Sequence, residues 1–226
     1  MQLSRRRLPH LYVIGEPLFV TFRLHDTLPP NRDFPARMPS GKAFVCLDRL
    51  LDEERAGPSY LRLPVIAQAV IASIRHGAPG DYLLHSWVVM PNHVHLLLTP
   101  KIDPSVVLRR LKGASARKAN QLLGLTGQPF WQDESYDHLV RSQEEFERIE
   151  NYILQNPVRA GLAQSEEEYP WSSAFDSCGL KPAAGSSVPP LAFQQLTRTT
   201  SSGAHSCSIC LWQGLPLKPA PQFVTQ

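Results

Sequence analysis

Met90-Pro91-Asn92-His93-Val94-His95-Leu96-Leu97-Leu98 is the stretch on which the fold turns, and it ends an apolar run that begins at Ser86. Side chains alternate across a strand with period 2. Val94, Leu96 and Leu98 therefore share one face, and His93, His95 and Leu97 share the other. Pro91-Asn92 suits a tight connection, so the run reads as two strands, 81–90 and 93–99. A lone histidine on a strand reads as a packed or water-facing polar residue. Two on one face of a central strand read either as a pair of metal ligands or as two polar residues facing water.

Outward from the hairpin, 18–24 is β-branched and aromatic and predicts a strand. A proline-rich loop follows. Residues 41–55 show a helical pattern with Phe44, Leu47, Leu50 and Leu51 on one side, and Gly57-Pro58 breaks it. A second helical run covers 64–76, with Pro64 in its first turn. After the hairpin come a helix over 105–123, a short strand over 135–141, and a helix from Ser142 to about Gln155. Ser142 and Glu145 make a capping box for that last helix, and Pro157 is expected to end it. The predicted fold is α+β: a ferredoxin-like βαββαβ antiparallel sheet with helices on one face, plus an added C-terminal helix.

The chain has 226 residues, 42% of them apolar, and 21 are proline. Its net charge of +3 and pI near 8.7 are mildly basic, a weak pointer to nucleic acid. No apolar run approaches the ~20 residues of a membrane span, and no signal-like segment follows the basic start Arg5-Arg6-Arg7. A cytoplasmic protein without a membrane partner is expected. The four cysteines form no extracellular disulfide pattern. His205-x-Cys207-x-x-Cys210 offers only half of a structural zinc site. Residues 1–174 are expected to form the domain, and the Ser/Thr/Pro-rich residues 175–226 a disordered tail.

Three groups of residues carry candidate chemistry. His93 and His95 leave open positions for a divalent ion acting as a Lewis acid on a phosphoryl oxygen. Tyr152 and Asn156 sit one helical turn apart, beside the stripe Phe146, Ile149 and Ile153. One reading makes Tyr152 the nucleophile on phosphorus and Asn156 the third metal position; a packed tyrosine and an asparagine cap fit the same residues. A phenol near pKa ~10 needs help to lose its proton. Finally, residues 104–132 contain no acid but five cations, Arg109, Arg110, Lys112, Arg117 and Lys118. A one-sign stretch reads as a phosphate-binding surface. Phe130 and Trp131 could stack on bases or pack in the core. His138 and Arg141, on the last predicted strand, could support the site from behind; a buried structural Asp137–His138 pair fits the same residues.

These residues resemble a known group. Met90-Pro91-Asn92-His93-Val94-His95-Leu96-Leu97 resembles the His-hydrophobic-His (HUH) motif of single-tyrosine transposases. Phe130-Trp131-Gln132, Tyr136-Asp137-His138-x-x-Arg141, Tyr152-Ile153-x-x-Asn156-Pro157-Val158-Arg159-Ala160-Gly161-Leu162 and Tyr169-Pro170-Trp171-Ser172-Ser173 are similar to the REP-associated tyrosine transposases. The likeness spans roughly 8–174. It implies a ferredoxin-like HUH endonuclease in which His93, His95 and Asn156 bind Mg or Mn and Tyr152 attacks single-stranded DNA. It further implies a 5′-phosphotyrosyl link, a free 3′-hydroxyl that can rejoin strands, and short palindromic hairpins as substrates. Relatives include monomers and homodimers. Two other functions compete: a hairpin-DNA binder whose catalysis is dispensable, and a metal hydrolase of small phosphoesters. A long cationic stripe is unnecessary for a small substrate.

Overall fold

The computed structural model describes residues 13–28, 40–54 and 56–179. The Arg5-Arg6-Arg7 arm, the His205/Cys207/Cys210 half-site and nearly all of the expected tail lie outside these residues. The described residues belong to one compact unit.

The elements run β1 (Leu18–Arg23), α1 (Ser40–Asp52), α2 (Pro64–Gly77), β2 (Tyr82–Val89), β3 (His93–Pro100), α3 (Pro104–Leu123), β4 (Tyr136–Leu139), α4 (Gln143–Arg159) and α5 (Ser173–Gly179). The four strands form one sheet in the order β2-β3-β1-β4, and every neighbouring pair is antiparallel. The expected ferredoxin-like sheet is therefore present. β3 lies between β2 and β1 with helices on both of its faces, so it is buried along nearly its whole length.

The strand alternation sorts two cores. Val94, Leu96 and Leu98 join Leu18, Val20 and Phe22 against Val70 and Ile74 of α2 and Leu108 and Leu111 of α3. Leu97 and Phe19 face the other way, with Val88, Phe44 of α1 and Ile153 of α4. The sheet is thus covered on both faces. α1 departs from the expected one-sided helical layer by joining α4 on the histidine face. The reason is the side chain of Phe44, which packs edge-on to Phe19 at 5.3 Å between ring centroids.

Helix ends follow local chemistry. Asp103 caps α3 by accepting a bond from the Ser105 N–H at 2.7 Å, and Gly124, at φ 70°, ends it. Ser142 accepts from Glu145 N–H at 3.1 Å, while Glu145 accepts from Arg141 N–H at 2.9 Å. One expectation fails: Pro157 does not stop α4, which continues to Arg159. Proline removes one bond, to the carbonyl one turn earlier. So near the end the loss is small, and Ala160 N–H to Asn156 and Leu162 N–H to Pro157 close the turn at 2.9 and 2.8 Å.

The Tyr169-Pro170-Trp171-Ser172-Ser173 motif has a structural role. Val89 N–H donates to the Trp171 carbonyl at 2.8 Å, and the Tyr169 hydroxyl donates to the Val89 carbonyl at 2.9 Å. The segment lies along β2 and satisfies backbone groups at that edge of the sheet.

Trp131 corrects another expectation. It is not a base-stacking platform, because it is only 6% exposed. It pairs with Leu24 as an extension of β1, which turns its indole into the core beneath α3. There its Nε1–H donates to Ser115 Oγ at 2.9 Å and its ring meets Phe22 edge-on at 4.7 Å. Phe130 is buried beside it. Trp131→Ala is expected to cost about 3–5 kcal/mol of stability, read as a lower midpoint in urea unfolding. A loss below 1 kcal/mol would return Trp131 to the surface.

Candidate active site on the histidine face

The site forms where β3, α1 and α4 meet. His93 and His95 are both 0% exposed, and their Nε2 atoms lie 3.1 Å apart. Each ring is held from behind through Nδ1. His93 Nδ1 is 2.7 Å from Asn92 Oδ1. Asn92 Nδ2 donates to the Leu51 carbonyl at 2.9 Å, so its oxygen faces the imidazole and His93 Nδ1 carries the proton. His93 Nε2 is then a bare lone pair. His95 Nδ1 shares a 2.7 Å hydrogen bond with Thr21 Oγ1, its direct cross-strand partner in the β1–β3 register. Such outer partners set the ligating nitrogen and aim it.

α1 adds an acid that the sequence pattern alone does not single out. Asp48 is 2% exposed. Its Oδ1 lies 3.1 Å from His95 Nε2 and 3.5 Å from His93 Nε2. The signal existed: Phe44, Asp48 and Leu51 follow helical spacing, so a carboxylate interrupts an apolar stripe. Asp52, one turn on, places Oδ1 3.9 Å from His93 Nε2.

α4 closes the cluster. Asn156 Nδ2 lies 3.3 Å from both Asp48 Oδ2 and His95 Nε2. The Tyr152 hydroxyl donates to Asp48 Oδ2. The guanidinium of Arg159 stacks over the Tyr152 ring, 4.8 Å from its centroid. Tyr152, Asn156 and Arg159 recur at i, i+4 and i+7 and so share one helix face.

Protonation follows from burial and mutual charge. Burial and the neighbouring His95 push the His93 imidazole down to about 3, against a smaller pull from Asp48. The Asp48 carboxyl is penalised by burial, but the two histidines and the Tyr152 hydroxyl hold it well below the usual carboxylate range. Burial and the Asp48 charge push Asp52 up to about 7. Burial, then Asp48, hold the Tyr152 phenol far above the ordinary phenol range, with Arg159 opposing.

This donor set fits a divalent cation. Ligand atoms of Asp48, His93 and His95 lie within 4.8 Å of one another, and all three residues are buried. Asp48 Oδ1, Asp52 Oδ1 and Asn156 Oδ1 are buried without a hydrogen-bond partner among the described residues. Lone pairs crowded together without donors need a positive charge, and mixed imidazole, carboxylate and amide ligands suit a divalent metal with open positions.

The other candidates sit elsewhere. His138 Nε2 meets Glu145 Oε1 at 3.0 Å, and no bond from it to His93 or His95 is found among the described residues. Arg141 is exposed and acts through its backbone N–H on Glu145. Among the α3 cations, Lys112 donates to the carbonyls of Gln132 and Asp133 at 2.7 and 2.9 Å, and Arg110 pairs with Asp81 at 2.9 Å. Arg109, Arg117 and Lys118 are exposed. The whole stripe lies across the sheet from the histidine cluster, because α3 packs on the opposite face.

Residues 75–156 match the family model described as IS200-like transposase. That stretch contains His93, His95, Tyr152 and Asn156; Asp48 precedes it. Over 106 residues the chain is 28% identical to the REP-associated tyrosine transposase of Escherichia coli strain K12, an alignment covering 46% of this chain and 59% of that relative. The chain therefore spans little more than half the length of that relative. A solved REP-associated tyrosine transposase bound to a REP hairpin is 20% identical, with TM-score 0.48, covering 84% of this chain and 98% of its own. A solved putative transposase from Deinococcus radiodurans is also 20% identical, with TM-score 0.34, over 66% of this chain and 97% of its own. Over residues 75–156 the chain is thus similar to the IS200-like transposases, and over 106 residues to a REP-associated tyrosine transposase.

Proposed function

We propose that this chain is a metal-dependent single-stranded DNA endonuclease and strand transferase that acts on palindromic hairpins through a 5′-phosphotyrosine intermediate. One observation carries the proposal: the Tyr152 hydroxyl donates to Asp48, inside the same buried cluster as the Nε2 atoms of His93 and His95. A small-molecule hydrolase needs no tyrosine aimed into its metal ligands.

His93, His95, Asp48 and the Asn156 amide would hold a Mg or Mn ion. Bound there, the ion supplies Lewis-acid polarisation of a phosphoryl oxygen. The protein's own groups do the rest. Tyr152 Oη attacks phosphorus, the bond from phosphorus to the 3′-oxygen breaks, and the phenolic proton ends, by way of solvent, on the departing 3′-oxygen, while the hydrogen bond to Asp48 aims the hydroxyl. The strand leaves with a free 3′-hydroxyl while the 5′-phosphate stays on the tyrosine. Arg159, above the ring, favours the phenolate and lies where phosphate charge arrives. Attack by a 3′-hydroxyl on the phosphotyrosyl link rejoins strands and returns the proton to Tyr152. Hairpin oligonucleotides from the DNA flanking the gene test the assignment. A metal-dependent protein–DNA adduct on a denaturing gel is expected; tight binding with no adduct from any such hairpin assigns the chain to the binding modules.

The exposed α3 cations would form a second phosphate-contacting patch, reached by DNA that passes around the edge of the sheet. Each phosphate contact contributes about −0.9 to the slope of log affinity against log salt. Replacing both Arg117 and Lys118 with Gln is expected to reduce the slope of hairpin binding by about 1–2. An unchanged slope would confine the DNA to the face carrying Arg148 and Arg159.

A further inference from the structure

An open cavity of about 270 Å³ lies beside the Tyr152 ring. Its walls are aromatic. Phe44 and Tyr136 stack at 4.4 Å between centroids, 28° from parallel, and Phe19 meets Tyr136 at 6.1 Å. Ile149 adds apolar surface, and the cavity is rimmed by Arg148, Glu145 and His138. These rim groups are linked: Arg148 donates to Glu145 Oε1 at 3.3 Å, and His138 meets the same oxygen at 3.0 Å. The catalytic steps above leave the cavity unused.

We infer that this cavity receives one unstacked nucleobase of a DNA strand, the base beside the phosphate that Tyr152 attacks. The inference rests on the nuclease assignment, because Tyr152 is the shared wall: its ring lines the cavity while its hydroxyl points at Asp48. A nucleotide with its phosphate at that hydroxyl has its base within one side-chain length of the aromatic wall. Aromatic side chains accept any base by its face. A linked Arg–Glu–His rim offers donors and an acceptor to base edges, which turns tolerance into preference. Charge points to the same occupant, since Arg148 on the rim has a side chain 70% exposed and Arg159 covers the Tyr152 ring. The Tyr136-Asp137-His138 motif gains a purpose, as Tyr136 and His138 both line the cavity.

Val45 lines the cavity, is 51% exposed and lies outside both cores, so Val45→Trp fills the space without disturbing the fold. The 226-residue chain with Mn is titrated with flanking-DNA hairpins carrying one abasic site at each single-stranded position in turn. At one position, base loss is expected to weaken wild-type binding by about 5- to 100-fold. Val45→Trp is expected to bind intact DNA more weakly and to lose the abasic penalty at that position. Arg148→Ala is expected to weaken binding of the base-bearing DNA and not of the abasic DNA. An abasic penalty undiminished in both variants, or the absence of any such position in the wild type, overturns the inference. Adducts scored on the same oligonucleotides separate the two claims. Adduct without base dependence overturns the pocket alone, and base-dependent binding without adduct overturns the nuclease alone.

Discussion

Tyr152→Phe is expected to abolish the proposed covalent DNA adduct and to leave hairpin binding within about twofold. The phenylalanine ring keeps the packing against Phe19, Phe44 and the Arg159 guanidinium, so only the hydroxyl is lost. That oxygen is the sole atom of the residue able to form a bond to phosphorus. Removing it also releases the bond to Asp48, a neutral donor to a charged acceptor, worth about 1.5–3 kcal/mol where buried. The carboxylate keeps the two imidazoles as neighbours, so the fold stands. The measurement is a denaturing gel of protein incubated with hairpin DNA and Mn, beside a binding titration of the same DNA. An adduct of wild-type intensity from the variant would assign the nucleophile to another residue.

The second large effect is a metal-linked gain in stability. A ligand that binds only the folded state adds about 2.7 kcal/mol at a hundredfold excess over its Kd. For a domain of this size that is a rise in Tm of about 5–10 °C. Wild-type protein is expected to show this rise with Mn, and chelator to reverse it. Asp48→Asn keeps the volume and removes the charge that faces both Nε2 atoms; His95→Gln removes one imidazole. Each is expected to lose most of the metal-dependent rise and, with it, adduct formation. The metal-free Tm of each variant gives the fold control. A full Mn-dependent rise in Asp48→Asn would remove Asp48 from the ligand set and leave it as the partner of Tyr152 alone.

Much of the site was legible in sequence because its parts are local. His-x-His on a strand puts two imidazoles on one face by pleat geometry, and Tyr152 with Asn156 share a helix face by the 3.6-residue turn. Asp48 was not legible in the same way. Within its helix it is one acid beside an apolar stripe, and its meaning depends on which sheet face that helix covers. Trp131 shows the opposite error. Beside a basic helix, Phe130-Trp131 has the composition of a base-stacking pair, yet the pairing of Leu24 with Trp131 turns the indole inward. The basic stripe was legible as a run of one sign, and Arg109, Arg117 and Lys118 are exposed. Which face of the sheet it lies on was not legible.

By itself, the sequence determined the strand alternation, the capping of α3 and the start of α4, the order of elements and the two local residue pairs proposed to carry the chemistry. These depend on backbone period and short-range hydrogen bonding, which act over a few residues. Tertiary structure alone decided that α1 crosses to the histidine face, that Asp48 meets His93, His95 and Tyr152 there, and that the cations of α3 lie on the other side. Those outcomes depend on which buried side chains fill which core. Phe44 packing against Phe19 carries Asp48 into the cluster from more than forty residues upstream, and no local period reports a contact over that distance.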